Sequence, residues 1–348
     1  MQRLRYVKQL AFAYLVYPSA NHTRFEHSLG TYNVTRMIMQ NIGKTEDSEL
    51  SYVGLLHDIG HAAFSHLSDF ALETYLHKTH ETIGEEIING SGIKDIISDS
   101  GLSFKKFMSY FRGNGIGAVV TGALGSDRID YLSRDSYYTG VAYGAIDSYR
   151  LINKITIFKN APALFKQAIT SAESLLIARY LMFSSVYYHH AVVIAGAMYA
   201  KALNSAIEED AVDPKQLPFY DDGQLTNILL AHKSSQELMD RIMKRRLFKR
   251  VYDGIASAKF SISELEAALG GAGLRHEDYV IEKPKFRIKD YDLPVISEDS
   301  SAMGNLSELS PLIKTLAGTM NSTNGLIVAC DKRNIEKAKA AISRVLDA

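Results

Sequence analysis

Apolar positions along this chain recur mostly at intervals of three and four, the spacing of an amphipathic helix. The pattern predicts helices over residues 2–17, 24–41, 48–59, 64–76 and 81–88, with Gly43, Gly90 and Gly92 as stops. On the 24–41 helix the expected buried positions are Phe25, Leu29, Tyr32, Val34, Met37 and Ile38. Residues 93–110 read as two short helices, and Gly113, Gly115 and Gly117 as a loop too irregular to cradle a phosphate. A helix over 127–138, ended by Gly140, brings Asp127, Tyr131, Asp135 and Tyr138 onto one face, with Arg128 and Arg134 beside them. Two carboxylates and two phenols make poor core, so this face is a solvated surface or the wall of a site. Residues 171–206 hold no proline and one glycine, Gly196, and predict one long central helix.

Beyond residue 210 the pattern changes. Asp213-Pro214 and Leu217-Pro218 read as a linker, and 223–270 as helical. Strands are expected at 279–281, 285–288, 294–296 and 325–329, before a closing helix over 334–346. The expected fold is mainly α: a helical catalytic domain over 1–210, a helical extension over 211–270 and a small α+β appendage over 271–348.

Composition narrows the partners. At 348 residues and 46% apolar content the chain can bury a sizeable core. Its 39 basic and 39 acidic residues cancel, so no global field draws it to nucleic acid or an anionic membrane. An anionic ligand must be held by local clusters. The run Lys244-Arg245-Arg246 with Lys249-Arg250 reads as a solvated helix face, and a nucleic-acid partner is not indicated. The longest strongly apolar run, 191–200, is too short to span a bilayer, and no secretory signal pattern follows Met1. A cytoplasmic protein is expected. Cys330 is the only cysteine, which excludes an intrachain disulfide and a thiolate zinc cluster.

Histidine placement is the informative irregularity. Seven of the 11 histidines (22, 27, 57, 61, 66, 77 and 80) precede residue 81, and a metal or phosphate site would explain the crowding. The densest stretch runs from Leu55 to His61, where His57, Asp58 and His61 follow an apolar segment. It reads either as a polar helix end, with His57 and Asp58 capping the turn before Gly60, or as part of a metal site. Burying an unpaired carboxylate costs several kcal/mol, and a metal ion is one way to offset that. Open catalytic metal sites draw His and carboxylate ligands from several elements. The candidates are His27, His57, Asp58 and Asp127, a donor set that suits Fe, Mn, Ni, Zn or Mg.

Six strings occur in order: Arg3 to Leu10; His22 to Ser28; His57-Asp-Ile-Gly-His61; Phe64-Ser-His66 with Asp69; Thr79-His-Glu81; and Ser126 to Tyr131 with Arg134-Asp135. Together they resemble the HD-domain phosphohydrolases, in particular the deoxynucleoside triphosphate triphosphohydrolases of the SAM-and-HD-domain type. The resemblance covers about residues 2–205 and implies an all-helical HD core. It implies His27, His57, Asp58 and Asp127 as ligands of one divalent metal, a transition metal or Mg. It implies His80 as the proton-transfer residue, oriented by Asp69 and Glu81, with His61 and His66 at the phosphate end. Arg24, Arg128 and Arg179 match positions that hold the triphosphate. Gln9, Leu10, Tyr131, Asp135 and Tyr187 match positions around the sugar, where Leu10 and Tyr187 would crowd a 2′-hydroxyl and Asp135 and Tyr131 would bond the 3′-hydroxyl.

The implied reaction converts a dNTP to deoxynucleoside and triphosphate. The alternatives are hydrolysis of another nucleotide ester, monophosphate or cyclic, and a non-catalytic module that binds nucleotide or nucleic acid. A homo-oligomer is expected by analogy. His189 and His190 stand where vertebrate relatives are more basic. The chain starts at Met1-Gln2, inside a region where the family carries part of an effector-nucleotide site. Gln2 and Arg5 match positions near it without their partners, so effector-driven assembly is not carried over.

Overall fold

The computed structural model describes residues 1–44, 48–255, 261–284, 291–322 and 325–346. The first 23 residues do not form the expected helix. Two single 3-10 turns, Gln2–Tyr6 and Ala11–Leu15, flank an extended piece in which Lys8 bridges to Thr23. There the backbone N–H groups of Lys8 and Gln9 are spent on Asp222 and on the His22 carbonyl, and these tertiary bonds win over local helix formation.

Helix α1 (Arg24–Asn41) starts at a capping box in which the Thr23 hydroxyl accepts from the Glu26 N–H and the Glu26 carboxylate accepts from the Thr23 N–H. Along the chain follow α2 (Ser48–Leu56), α3 (Asp69–Ala71), α4 (His80–Gly90), α5 (Ile93–Asp99), α6 (Phe104–Phe111), α7 (Ala118–Thr121) and α8 (Ser126–Thr139), of which α2 and α8 pack most closely on α1. The buried face of α1 is not the predicted apolar one. Arg24, His27, Ser28, Thr31 and Thr35 are buried together with Ile38 and Met39, whereas Leu29 is 46% exposed. This helix turns its polar side to α2 and α8, where the groups find partners such as Thr35 Oγ1 to Ser126 Oγ at 2.6 Å. The predicted 64–76 helix is also broken. It becomes a 3-10 turn at Ser65–Ser68, α3, and a widened turn at Leu72–Leu76 that ends in left-handed His77.

After α9 (Ser148–Lys154) comes a hairpin that the pattern did not announce, β1 (Ile155–Phe158) and β2 (Ala161–Phe165), joined through Lys159 and Asn160 at positive φ. The predicted long helix is two helices, α10 (Ile169–Met182) and α11 (His190–Glu208), bent by 63° at the widened turn Phe183–Tyr187. Neither proline nor glycine marks the break. Ser184 Oγ bonds back to the Tyr180 carbonyl, and His189 Nδ1 accepts from the Ala191 N–H to start the second helix. Among the described residues no single helix is long and apolar enough to cross a membrane.

The remainder contains α12 (Asp222–Ala231), α13 (Lys233–Met243), β3 (Lys249–Ile255), α14 (Ile262–Gly271), β4 (Tyr279–Glu282), β5 (Pro294–Ile296), β6 (Ala302–Asn305), α15 (Leu306–Leu309), α16 (Pro311–Ser322), β7 (Gly325–Cys330) and α17 (Ile335–Leu346). The helical reading of 223–270 fails at β3, which pairs antiparallel with β7 about 75 residues further on, as in Asp253↔Ile327. The predicted strand at 285–288 lies outside the described residues. One sheet has the order β3-β7-β4 and the other β1-β2-β5-β6, so β2 pairs with β5 across the chain, Leu164 opposite Val295. Strand β7 is buried on both faces. Leu326, Val328 and Cys330 pack on α14 and α17, and Ile327 and Ala329 pack toward α11 and α13.

Candidate active site

The first turn of α1, the end of α2 and the first turn of α8 bring His27, His57 and Asp127 together, with one ligand atom from each within 4.8 Å of the others. His27 Nε2 lies 3.1 Å from Asp127 Oδ1, and His57 Nε2 lies 3.7 Å from the same oxygen. Asp58 joins them, with Oδ1 3.2 Å from His57 Nε2 and Oδ2 3.7 Å from His27 Nε2. Each imidazole is oriented by its other nitrogen. His57 Nδ1 faces the Gly54 carbonyl at 2.9 Å, and His27 Nδ1 faces Asp130 Oδ2 at 2.8 Å. Both Nε2 lone pairs are thereby turned inward, the second-sphere arrangement that metal-ligating histidines use. The His57 Nε2 atom is buried without a hydrogen-bond partner. Two inward imidazole nitrogens beside the buried Asp58 and the partly exposed Asp127 fit a divalent cation of the Fe, Mn, Ni, Zn or Mg kind.

Electrostatics agrees with that fit. Burial opposes charge on His27, but hydrogen bonds to Asp127 and Asp130 outweigh it and push the imidazole up to about 10. His57 is raised in the same way: burial opposes, and the Asp58 and Asp127 carboxylates prevail. Burial is likewise overcome at Asp127, which the neighbouring His27 and His57 imidazoles hold well below the usual carboxylate range. Protons thus stand in for the positive charge that the carboxylates demand, and a cation entering the cluster would displace them.

Asp130, bound by Arg134 Nε at 2.9 Å and its terminal nitrogen at 2.8 Å, reaches His27 across α1 at Gly30. A Cβ at Gly30 would lie 1.8 Å from Asp130 Oδ1, so any side chain at position 30 would displace the Asp130 carboxylate.

A second group lies beside the first. The His61 and His80 rings stack at 3.8 Å, and His66 meets His61 edge-on at 4.6 Å. Asp69 Oδ2 is 2.9 Å from His66 Nδ1 and 3.3 Å from His80 Nδ1, and Glu81 is 3.3 Å from His80 Nε2. Asp58 Oδ1, 3.5 Å from His61 Nε2, stands between the two groups. His80 is raised above the ordinary histidine value, since the Asp69 hydrogen bond and charge exceed the opposing effect of burial. His61 is held well below it by burial and by the Arg24 and His80 charges. His80 therefore holds a proton more tightly than the His61 ring it stacks on. The His61 turn sits close against α4 because position 60 is glycine; a Cβ there would lie 2.0 Å from the His80 carbonyl oxygen.

Both groups open into one cavity of about 580 Å³. Its far wall carries Gln9, Leu10, Tyr131, Asp135, Arg179 and Tyr187. Asp135 Oδ1 takes His22 Nε2 at 2.8 Å, and Asp135 Oδ2 accepts from the Tyr187 hydroxyl at 2.7 Å. Arg24 holds Asp58 at 2.5 Å and Ser65 at 2.7 Å, leaving one terminal nitrogen buried without a partner. Two guanidinium nitrogens of Arg179 are in the same condition. The α8 face contributes Asp127, Tyr131 and Asp135 to the cavity, while Tyr138 turns away to Glu26 Oε1 at 2.8 Å. Arg128 is not on the cavity wall. Its guanidinium donates to the Ala123 carbonyl at 2.8 Å. Sequence reading assigned no role to His22, Asp130 or Ser65, although His22 heads the His22–Ser28 string and Asp130 lies within Ser126–Tyr131.

Residues 24–135 match the HD domain, and residues 146–348 match the HD-associated region. The chain belongs to the HD-domain phosphohydrolase family. An uncharacterized protein of Methanocaldococcus jannaschii is 40% identical over 270 residues, covering 76% of this chain and 56% of that one. The chain therefore spans little more than half the length of that relative. The deoxynucleoside triphosphate triphosphohydrolase SAMHD1 homolog of Dictyostelium discoideum is 28% identical, covering 84% of this chain and 64% of that protein. The crystal structure of a hypothetical protein from Aquifex aeolicus superposes with a TM-score of 0.83 at 32% identity, covering 98% of this chain and 92% of that one.

HD domains bind divalent metals, and the inward-facing donors lie within the matched HD region. The cavity as a whole is shared. Arg179 and Tyr187 come from the HD-associated region, and Gln9 and Leu10 precede the HD domain.

Proposed function

We propose that this HD protein hydrolyses deoxynucleoside triphosphates to deoxynucleoside and triphosphate. The observation that carries the reading is the layout of one cavity, in which metal-capable donors, a carboxylate-backed histidine pair, partnerless guanidinium nitrogens and a tyrosine–aspartate wall face a common space. The name of the Dictyostelium relative supports it.

In this reading the open nitrogens of Arg24 and Arg179 fork onto phosphate oxygens, which suits planar guanidinium geometry. The sugar lies between Tyr131, Asp135 and Tyr187. The Asp135 oxygens, each already in one hydrogen bond, keep lone pairs for a 3′-hydroxyl. Leu10 and Tyr187 close the side on which ribose carries its 2′-hydroxyl, so selection against ribonucleotides is steric. His27, His57, Asp58 and Asp127 would hold a divalent cation, whose charge neutralises phosphate oxygens and makes the phosphorus more electrophilic. Water attacks the α-phosphorus, giving up a proton to solvent, and the bond to the 5′-oxygen breaks. His80 gives its Nε2 proton to the departing oxygen, Asp69 keeps the ring charged until then, and Glu81 restores the proton from the solvent side.

The test is incubation of metal-loaded protein with each dNTP and each NTP, with products separated by chromatography. Equal amounts of deoxynucleoside and triphosphate from dNTPs alone are expected. Release of orthophosphate or pyrophosphate instead, or turnover only of monophosphates or cyclic nucleotides, overturns the reading. So does binding without turnover that His57→Ala leaves unchanged.

A further inference from the structure

Asp222, the first residue of α12, lies more than 150 positions from any candidate ligand before residue 70, yet it holds two stretches of the cavity wall at once. Its Oδ2 accepts from the Lys8 N–H at 2.9 Å, and its Oδ1 from the Phe64 N–H at 2.7 Å. Lys8 immediately precedes Gln9 and Leu10, and Phe64 lies between His61 and His66. The carboxylate is 7% exposed.

The turn it holds is not one the chain adopts unaided. Phe64 and Ser65 both lie in the left-handed region, at φ 58° and 57°. Such backbone costs about 1–2 kcal/mol per non-glycine residue and persists only where the surroundings over-determine it. Other contacts help. The Phe64 ring stacks on Phe12 at 4.7 Å, Ser65 Oγ donates to the Lys8 carbonyl at 2.8 Å, and Arg24 Nε donates to Ser65 Oγ at 2.7 Å. The Arg3 guanidinium ties the Ile59 and His61 carbonyls, at 3.1 and 2.6 Å, to the Tyr220 carbonyl at 3.0 Å, two residues before Asp222. Among the described residues, the Asp222 carboxylate alone accepts from both the Phe64 N–H and the Lys8 N–H.

We propose that Asp222 is a positioning residue of the active site. It sets the spacing between the Gln9–Leu10 wall and the His61–His66 turn, and so makes the HD domain depend on the HD-associated region for a working cavity. The inference rests on the hydrolase reading for its catalytic consequence. Its structural content stands apart from that reading.

The experiment compares wild type, Asp222→Asn, Asp222→Ala and Leu229→Ala, the last a buried α12 residue whose apolar side chain offers no hydrogen bond to either stretch. Hydrogen exchange read by mass spectrometry is expected to show faster exchange of peptides spanning residues 8–11 and 62–66 in Asp222→Ala. Leu229→Ala should lower the melting temperature without that local change. With dNTP as substrate, kcat should fall roughly tenfold to a hundredfold in Asp222→Ala, as a misplacement near 1 Å does. Asp222→Asn, which keeps one acceptor oxygen, should retain part of the rate, and metal content should match wild type in both. Wild-type protection of the two peptides in Asp222→Ala overturns the proposal. So does an unchanged kcat in that variant beside an active wild type. Absence of turnover in wild type overturns the hydrolase reading alone, and the exchange data then judge Asp222 by themselves.

Discussion

His27 and Asp130 are joined by a 2.8 Å contact between Nδ1 and Oδ2, on the side of the imidazole opposite Asp127. The contact fixes which nitrogen is free to bind a metal. Asp130→Ala is therefore expected to weaken divalent-metal affinity about 10- to 100-fold, the usual effect of losing such a partner. Gly30→Ala should act in the same direction, because the added methyl would displace the Asp130 carboxylate. Competition against a fluorescent chelator measures both, and wild-type affinity in either variant refutes the assignment.

Gly60 presses the His61 turn against the start of α4. Gly60→Ala places a carbon 2.0 Å from the His80 carbonyl oxygen and 2.4 Å from the Gly84 nitrogen, both backbone atoms that cannot swing aside. The expected loss is about 1–3 kcal/mol in urea unfolding, the ordinary cost of overpacking.

The raised His80 value bears on the pH profile. A proton donor stays competent below its own pKa, and the rate falls as pH rises through that value. With Asp69 in place, this limb lies above the ordinary histidine value. Asp69→Asn removes the charge that raised it, so the alkaline limb of kcat should move to lower pH. An unshifted limb would mean that another group donates.

Asp222 ties stability to pH. Burial raises its carboxyl from 3.8 to about 6, although the Phe64 and Lys8 N–H groups favour the charge. Between these values the folded state binds the proton more tightly than the unfolded chain does. The contribution of protonated Asp222 is thus full below about pH 4, declines through pH 6 and is absent above it, with a span of about 3 kcal/mol at most. Because asparagine does not titrate, the stability difference between wild type and Asp222→Asn, from urea midpoints, should move against wild type as pH rises from 4 to 6. A flat difference would refute the shift. At neutral pH the wild type would then bear a buried charge that costs stability and holds the cavity wall.

Much of the site was legible in the linear order of residues. His57-Asp58 at the end of an apolar helix and Asp127, Tyr131 and Asp135 at helical spacing are short-range patterns, and the structure turns each of them toward the cavity. The buried side of α1 was misread for a physical reason. A helix that lines a site buries polar groups that find partners on neighbouring helices, so apolar periodicity points to the wrong face. The break at Phe183–Tyr187 escaped notice because serine back-bonding, with no glycine or proline, bends that helix.

What the sequence by itself determined is the set of donors and the local elements that carry them, since capping, periodicity and motif spacing act within a few residues. What only the tertiary structure decided is which partners complete them: Asp130 on His27, His22 on Asp135, β3 on β7 and Asp222 on Lys8 and Phe64, across separations of 103, 113, about 75, 214 and 158 residues. Such bonds depend on where whole helices and strands come to rest once their apolar faces are buried, and no local spacing encodes that outcome.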